Sequence, residues 1–379
     1  MAKQQLDVLI IGAGMAGVSA ALKLQEQGLS VQILEKSKGI GGRMATRRLD
    51  SMGIEGKADH GAQFFTTRSP EFSAFVKEAE TQGWVKPWFS SGPEARPSGE
   101  RRPEPGSEGA AAGAAPGTTP AGAQEVHTRY LAVDGMSALI KHMVAELKPT
   151  NPVHLHQKAN RLTSVSGKHW RVTCDSGMVY EASRIILTSP VPQSLELLQK
   201  SAITLPTTPA GELEKITYEC CIAVMLVLDG HSKLPEEGYL RPDSKKVTWI
   251  ADSQKKGISP ALTVLTVHTL PKWSQRHWTS PDHDTVQQVW TDIQDKVGGG
   301  QVNLVSSQVH RWQYSQPRET FPERCLALQP GEGGWTHPTL IFAGDAFGGP
   351  RVEGAYLSGQ AAGLAAGTAN GSTADSVAT

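Results

Sequence analysis

Alternating apolar and polar stretches predict a β-α-β unit at the start of the chain. Residues 7–11 (DVLII) have the continuous apolar pattern of a buried strand, and residues 15–27 follow with helical periodicity that Gly28 ends. Apolar residues resume at 31–34 as a second strand. Strand, helix and strand in this order, with a glycine-rich turn between the first two, predict a dinucleotide-binding fold.

The glycine-rich turn has the spacing that a bound dinucleotide requires. Gly12 permits a tight turn, Gly14 lets the backbone approach a pyrophosphate, and Gly17 lets the helix pack closely on the strand. Glu35 ends the second strand, where its carboxylate can accept hydrogen bonds from a ribose. The candidate nucleotide-binding residues of this unit are Gly12, Gly14, Met15, Ala16, Gly17, Glu35 and Lys36.

The rest of the chain shows further helical and strand patterns. Helices are predicted at about 71–83, from 136 to about 147, and from 352 onward. Residues 153–181 alternate like a small antiparallel sheet, and the buried strand at 185–187 is predicted to end in a proline-locked crossing. The predicted strands are 126–131, 153–155, 161–165, 170–174, 180–181, 185–187, 221–228, 246–250, 262–267 and 339–345.

Composition describes an ordinary globular chain with one exceptional segment. The chain has 379 residues, of which 39% are hydrophobic, enough for two domains with buried cores. Residues 91–124 contain no Val, Ile, Leu, Met, Phe, Tyr or Trp. Such a stretch cannot bury a core, so it is predicted to be a disordered insertion.

Charge and cysteine content exclude several classes of partner. Lys plus Arg and Asp plus Glu both number 37, so no overall field gathers nucleic acid or anionic membrane. No apolar stretch is long enough to span a bilayer. The four cysteines have neither metal-ligand spacing nor a disulfide pattern, which predicts reduced thiols, no metal site and a cytoplasmic location.

Several motifs carry a resemblance to one family over nearly the full length. They are IIGAGMAG, GGRM, ADHGAQ, AVDGMSALIKH, LTSPVP, HRWQYSQ and FAGDAF, and they leave only the 91–124 insertion unmatched. The chain resembles the renalases, flavoproteins of the amine-oxidase superfamily. The resemblance implies an α/β fold, in which a Rossmann-type (GR2-like) domain binds FAD without a covalent bond and a second α+β domain holds the substrate on a mostly antiparallel sheet.

Domain limits and cofactor contacts follow from the same resemblance. Residues 1–70, 126–190 and 335–379 are expected to form the FAD domain, and residues 71–90 and 191–334 the substrate domain. The resemblance places the phosphates at the GGR segment, the flavin ring at the D-x-G-A-Q segment and the ribityl chain at Asp345. It assigns to FAD the further residues Gly42, Arg43, Met44, Gly61, Ala62, Gln63, Leu162, Gly344, Asp345, Gly354 and Ala355.

The family's reaction is the oxidation of 2- and 6-dihydro isomers of NAD(P)H to NAD(P)⁺, with O₂ reduced to H₂O₂. The flavin does the redox chemistry, so the protein needs to hold and stack the dihydronicotinamide rather than supply a strong base. The candidate catalytic residues are Trp312, Tyr239, Gln63 and His268. Phe64 and Phe65 are interpreted as core. The oligomeric state stays open.

Three alternatives remain at this stage. Many superfamily members oxidise amines with a lysine that holds a water near the flavin, but no lysine can be assigned to that place from the sequence. Isoprenoid desaturases share the GGR and C-terminal motifs, although they usually need an apolar membrane-facing patch. A flavin-binding protein without turnover is the third, and rapid flavin reduction by a nucleotide would exclude it.

Overall fold

The fold is described by a computed structural model that covers residues 6–51, 53–91 and 127–368. The predicted insertion at 91–124 lies, except for Ser91, outside the described residues, as does Val126 of the predicted 126–131 strand. The strands are β1 (Leu6–Ile11), β2 (Val31–Leu34), β3 (Thr46–Ser51), β4 (Ile54–Asp59), β5 (Phe65–Thr66), β6 (Val85–Ser91), β7 (His127–Ala132), β8 (Val153–His154), β9 (Ala159–Val165), β10 (His169–Cys174), β11 (Val179–Leu187), β12 (Tyr218–Asp229), β13 (Tyr239–Leu240), β14 (Val247–Asp252), β15 (Thr263–Thr269), β16 (Asn303–Pro317), β17 (Leu326–Leu328) and β18 (Leu340–Phe342).

The helices predicted at 15–27, at about 71–83, from 136 to about 147 and from 352 onward have similar bounds in the structure, which also contains helices that the sequence did not predict. The helices of the structure are α1 (Met15–Glu26), α2 (Pro70–Thr81), α3 (Met136–Ala145), α4 (Val191–Lys200), α5 (Thr207–Glu214), α6 (Pro271–Arg276), α7 (Asp282–Val297), α8 (Asp345–Gly348) and α9 (Val352–Thr368). Short 3-10 turns cover residues 42–44 and 299–301. The chain divides into two compact units, of which the first contains residues 1–45, 137–218 and 317–379 and the second contains 46–136 and 219–316.

The first unit is built on a sheet with the order β17-β18-β11-β1-β2-β8. The pairs among β18, β11, β1, β2 and β8 are parallel, and β17 is antiparallel to β18. Val8, Leu9 and Ile10 of β1 are each 0% exposed, which explains the unbroken apolar run of this strand, since a parallel strand is covered on both faces. The predicted α/β, Rossmann-type architecture is confirmed.

Three local expectations for this unit are wrong. Residues 153–154 do not join the small antiparallel sheet, because β8 pairs parallel with β2. Residues 180–181 and 185–187 are parts of one strand, β11, which pairs antiparallel with β10 at its start and parallel with β1 at its end. The prolines at 190 and 192 begin α4 instead of a crossing, because a proline fits the first helical turn, where its missing N–H is not needed.

The second unit contains a five-stranded sheet with the order β13-β14-β15-β12-β16. The pairs β13/β14, β14/β15 and β12/β15 are antiparallel. Residues of α6 and α7 bury their apolar side chains with this sheet in one core. The mostly antiparallel second sheet predicted from the sequence is therefore confirmed.

Two smaller sheets complete the second unit. Strands β3 and β4 form an antiparallel pair, and β5, β7 and β6 form a three-stranded sheet in that order. Val264 of β15 packs with Leu49 and Ala58 of the β3/β4 pair, which brings the end of β4 to the large sheet. The limits of the FAD and substrate domains stay a prediction, because compactness does not report which residues bind a ligand. No helix in the described ranges is long and apolar enough to cross a membrane.

Candidate functional site

The glycine-rich turn of the first unit has the geometry expected for a dinucleotide. Gly12 has φ 112°, which an L side chain rarely adopts. A Cβ on Gly17 would lie 1.9 Å from the Gly12 carbonyl oxygen, so α1 packs against the turn without room for a side chain. A Cβ on Gly14 would meet nothing within 4 Å. The backbone at Gly14, at the start of α1, is therefore open to a ligand, as the approach of a pyrophosphate requires.

The GGR segment lies against this turn. The Gly41 N–H donates to the Ala13 carbonyl over 2.9 Å, and a Cβ on Gly42 would lie 3.6 Å from Gly14 Cα. Gly42 itself has φ 54°. Met44 closes the 3-10 turn with a buried side chain. The glycine-rich turn at residues 12–17 and the GGR segment at residues 41–43 thus pack against each other, and together they form a backbone cradle.

Glu35 is buried beside the cradle, with 7% of its surface exposed. One carboxylate oxygen accepts from Ala13 N–H at 3.0 Å and the other from Ser37 N–H at 2.8 Å. A carboxylate has about four acceptor positions, so it retains capacity for ribose hydroxyls. Lys36 points its ammonium to the Gln193 amide oxygen, 3.3 Å away.

Arg43 and Asp345 bind each other in this structure. The terminal nitrogens Nη1 and Nη2 of Arg43 each donate to one carboxylate oxygen of Asp345 at 2.6 Å, and the guanidinium carbon lies 5.9 Å from the Tyr218 ring centre. Burial opposes the charge of Arg43, but the contact with Asp345 outweighs it and raises the arginine pKa. The two residues were assigned to different parts of FAD, and they form one bidentate pair that joins the GGR turn to α8.

The remaining cofactor candidates differ in how closely the backbone encloses them. A Cβ on Gly354 would lie 2.1 Å from the Gly349 carbonyl oxygen, and the Ala355 N–H donates to the Arg351 carbonyl. The Gly344 N–H donates to Ser358 Oγ at 2.8 Å. In β9, the Leu162 N–H donates to Ser201 Oγ at 2.8 Å. The glycines at 12, 14, 17 and 42 and the carboxylate of Glu35 together fit a dinucleotide such as FAD.

In the second unit, the segment after β4 is held by a buried lysine. The Lys256 ammonium, which is 0% exposed, lies 3.3 Å from Asp59 Oδ2, 3.1 Å from the Gln63 carbonyl oxygen and 3.2 Å from Gln63 Oε1. The Gln63 amide nitrogen donates to the Asp59 carbonyl. Both ends of the Gln63 amide are therefore engaged by protein groups.

Two catalytic candidates meet at the carbonyl of His60. Trp312 donates its indole N–H to this oxygen at 2.8 Å, and His268 donates from Nε2 at 3.2 Å. The Trp312 ring also stacks on the His60 ring, with centroids 5.2 Å apart. Burial lowers the pKa of His268 to about 4, against the opposing effect of its bond to His60, so the imidazole is neutral at pH 7.

The second unit has a cleft of about 280 Å³ that is lined by the catalytic candidates Gln63 and His268 and lies next to Tyr239. Tyr239 stands behind Trp249 with its ring stacked at 4.9 Å, and the Arg241 guanidinium lies 5.1 Å from the Trp249 ring centre. The ring of Phe64 lies 5.6 Å from that of Trp249. The residues that line the cleft are Gly61, Gln63, Phe64, Arg241, Thr248, Trp249 and His268.

The structure therefore groups the catalytic candidates unevenly. Gln63 and His268 line the cleft. Tyr239 does not line it but stacks on the lining residue Trp249, and Trp312 donates a hydrogen bond to the carbonyl of His60, next to the lining residue Gly61. Phe65 is core, with 3% exposed, but Phe64 is a lining residue, so its interpretation as core is wrong. Their catalytic roles stay predictions.

Sequence reasoning missed the charged residues of this unit. Lys256 sits in the polar run DSQKKG, and Arg241 in a turn-like stretch, where a charge is usually solvated. Trp249 belongs to a set of aromatics that the sequence does not separate into core and site. The one available signal was the pair of lysines at 255 and 256, just after an apolar strand. Among the residues with described positions, no group of three His, Cys, Asp or Glu side chains could hold a metal ion.

Comparison with known proteins agrees with this arrangement. Residues 113–363 match the model of the flavin containing amine oxidoreductases, and residues 10–79 match an NAD(P)-binding Rossmann-like domain. The chain is 26% identical to renalase of Mus musculus over 350 residues, which are 87% of this chain and 93% of that protein. It is 28% identical to putrescine oxidase of Kocuria rosea over 61% of this chain and 45% of that protein.

Solved structures support the fold. A putrescine oxidase bound to putrescine has a TM-score of 0.63 at 15% identity, covering 95% of this chain and 98% of that one. An oxidoreductase from Methanosarcina mazei has a TM-score of 0.62 at 14% identity, covering 94% and 99%. The predicted likeness to renalases and the predicted FAD cofactor are confirmed, and the chain belongs to the family of flavin-containing amine oxidoreductases.

Proposed function

We propose that this FAD-dependent oxidoreductase oxidises the 2- and 6-dihydro isomers of NAD(P)H to NAD(P)⁺. The substrate loses a hydride from its reduced ring, and this hydride and one solvent proton end in H₂O₂ when O₂ is reduced. FAD, when bound, accepts the hydride and passes the two electrons to O₂. The similarity to renalase across 87% of this chain supports this reaction over the one named by the shorter match.

The charge of the cleft is the observation that carries the proposal. Its lining, within the described part of the chain, combines the Arg241 guanidinium and the flat Trp249 ring and includes no Asp or Glu. A guanidinium attracts the phosphates of a nucleotide and repels an ammonium. An anionic substrate therefore fits this cleft better than a primary amine does.

The acid-base groups near the cleft support the same substrate. With its pKa lowered to about 4, His268 is too weak a base to deprotonate an alkylammonium group. The superfamily's amine oxidation uses a lysine that holds a water, whereas each of the three N–H donors of a charged Lys256 has a protein oxygen as its acceptor. Hydride loss from a dihydronicotinamide needs neither a base nor an activated water, because the ring becomes aromatic as it is oxidised.

Anaerobic stopped-flow bleaching of the bound flavin tests the proposal. The 2- and 6-dihydro isomers are compared with NADH, NADPH and a panel of primary amines. Rapid bleaching by the isomers alone is expected. Bleaching by amines alone would overturn the proposal. No bleaching by any of the compounds would also overturn it and would favour a desaturase or a non-catalytic flavoprotein.

Variants of the cleft test the charge argument. Arg241→Met is expected to raise the apparent Kd of the nucleotide isomer about tenfold, which corresponds to one lost charge-assisted hydrogen bond, with little change in the limiting rate. The matched control is Arg48→Met, which removes the same charge from a side chain that is 73% exposed on β3. Equal effects of the two variants would show that Arg241 acts only through overall charge.

A further inference from the structure

The charge state of Lys256 follows from its contacts. Its nitrogen has three acceptors at 3.1–3.3 Å, namely Asp59 Oδ2, the Gln63 carbonyl and Gln63 Oε1. An ammonium has three N–H donors and a neutral amine has two, so all three contacts are hydrogen bonds only if the group is charged. Burial is the larger effect and places the lysine pKa below its ordinary value, while the charge and hydrogen bond of Asp59 act in the opposite direction.

Asp59 is equally enclosed, with 1% of its side chain exposed. Its other carboxylate oxygen accepts from Thr46 Oγ1 at 2.7 Å and from the Met136 N–H at 2.8 Å. A buried ion pair costs desolvation energy and often contributes no more stability than packed apolar residues would. The Lys256–Asp59 pair instead fixes the positions of the groups that it contacts, including Gln63.

The turn that presents Lys256 is itself rigid. The Lys256 N–H donates to the Asp252 carbonyl at 3.0 Å, and the Ile258 N–H donates to the Ser253 carbonyl at the same distance. The Asp252 carboxylate, 0% exposed, accepts from the Gln254 N–H at 2.7 Å. These bonds hold the backbone from which the Lys256 side chain reaches its acceptors.

Lys256 fixes both the backbone and the side chain of Gln63. It draws the amide oxygen toward itself, while the amide nitrogen donates to the Asp59 carbonyl. This defines which way the Gln63 amide faces and where the lining residues Gly61 and Phe64 lie. A wall of the cleft depends on one side chain that does not line it.

We propose that Lys256 is a positioning residue for the redox reaction. Its charged ammonium holds the 61–64 wall of the cleft in the geometry in which a bound substrate delivers its hydride, and Asp59 keeps that ammonium charged. The proposal rests on the proposed function for its kinetic readout. Small displacements at a reacting centre lower the rate of the chemical step more than they lower affinity.

The working variant is the double substitution Asp59→Asn with Lys256→Met, because Lys256→Met alone leaves Asp59 buried without its counter-charge. Its limiting rate of flavin reduction is expected to fall by about tenfold to 100-fold. Its apparent substrate Kd is expected to stay within about threefold of wild type. The matched control is Lys255→Met in the same turn, since the Lys255 ammonium donates to the Leu234 carbonyl and should give wild-type kinetics.

A second readout needs no substrate. Amide hydrogen exchange of the peptide covering residues 59–65 is expected to quicken in the double variant and to stay unchanged in Lys255→Met, at equal FAD content. If the double variant does not fold, Gln63→Met keeps Lys256 but removes the amide that it orients, and the same loss of rate is expected.

The outcomes separate the two proposals. If the wild-type flavin is not bleached by dihydro isomers, the proposed function fails, and the exchange of residues 59–65 decides the role of Lys256. Wild-type reduction rates in the double variant would overturn the positioning role even if exchange quickened, and wild-type exchange would overturn it outright.

Discussion

The substitution Gly14→Ala separates cofactor binding from folding. Gly14 has φ −87° and ψ −173°, which alanine adopts readily, and an added Cβ meets nothing within 4 Å. The apoprotein should therefore keep its stability. The methyl group would, however, occupy the surface that a pyrophosphate needs to approach, so FAD affinity should fall.

The expected magnitudes follow from these contacts. Alanine reduces the entropy of the unfolded chain by about 0.4–1 kcal/mol but is a poorer N-cap than glycine by a similar amount. The free energy of unfolding of the apoprotein should thus change by less than about 1 kcal/mol. Loss of one charge-assisted hydrogen bond from the phosphate costs about 1.5–3 kcal/mol, which raises the FAD Kd about tenfold to 100-fold.

Gly17→Ala is the matched control. Its Cβ would lie 1.9 Å from the Gly12 carbonyl oxygen, so the backbone must move and the apoprotein itself should lose about 1–3 kcal/mol of stability. The assay is FAD titration of apoprotein by fluorescence quenching, with urea unfolding of the same samples. Wild-type FAD affinity in Gly14→Ala, or an apoprotein as unstable as Gly17→Ala, would refute the reasoning.

Three further predictions concern single side chains. Arg43→Met should leave Asp345 without its bidentate partner and raise the FAD Kd about tenfold in the same titration, and an unchanged Kd would contradict the role of Arg43. Trp312→Phe removes the donor to the His60 carbonyl, so it should spare FAD content and slow flavin reduction in stopped flow; equal slowing and FAD loss would point to a folding defect. The neutral His268 stabilises the fold above its unfolded pKa of 6.5, and this stability is lost as pH falls through about 4. The loss amounts to about 3 kcal/mol, so urea midpoints should fall more steeply between pH 6.5 and 4 in wild type than in His268→Gln.

The parts of the fold that could be predicted are those with local causes. In the β-α-β unit, the pairing of β1 with β2 joins residues close in sequence, and the predicted strand 31–34 is β2 without change. The pairing of β8 could not be predicted, because an apolar pattern shows that a strand exists and leaves its partner open. The sequence does not predict that β11 is one continuous strand, because the polar residue Arg184 interrupts its apolar run. Arg184 is nevertheless buried, with 7% exposed.

The site divides in the same way. Glu35 and the fingerprint glycines are recognisable because a ligand and a backbone turn dictate residue types at fixed spacing. Lys256 meets Gln63 across a separation of 193 residues, and its burial arises only when β14 and the segment after β4 are brought together. A lysine in a polar stretch has a solvated side chain in most proteins, so its sequence alone favours the wrong environment.

The charge states of Lys256, His268 and Arg241 in the second unit bear on which substrate the cleft can bind. Lys256 is neutralised by Asp59 and has its three donors occupied, while His268 is held neutral by burial. Arg241 is the charged residue among those that line the cleft. Under the proposed function, a cationic amine would meet like charge and only the weak base His268, whereas an anionic hydride donor would meet a complementary guanidinium and need no base. Under the proposed function, the lysine beside Gln63 therefore has a positioning role and takes no part in amine oxidation.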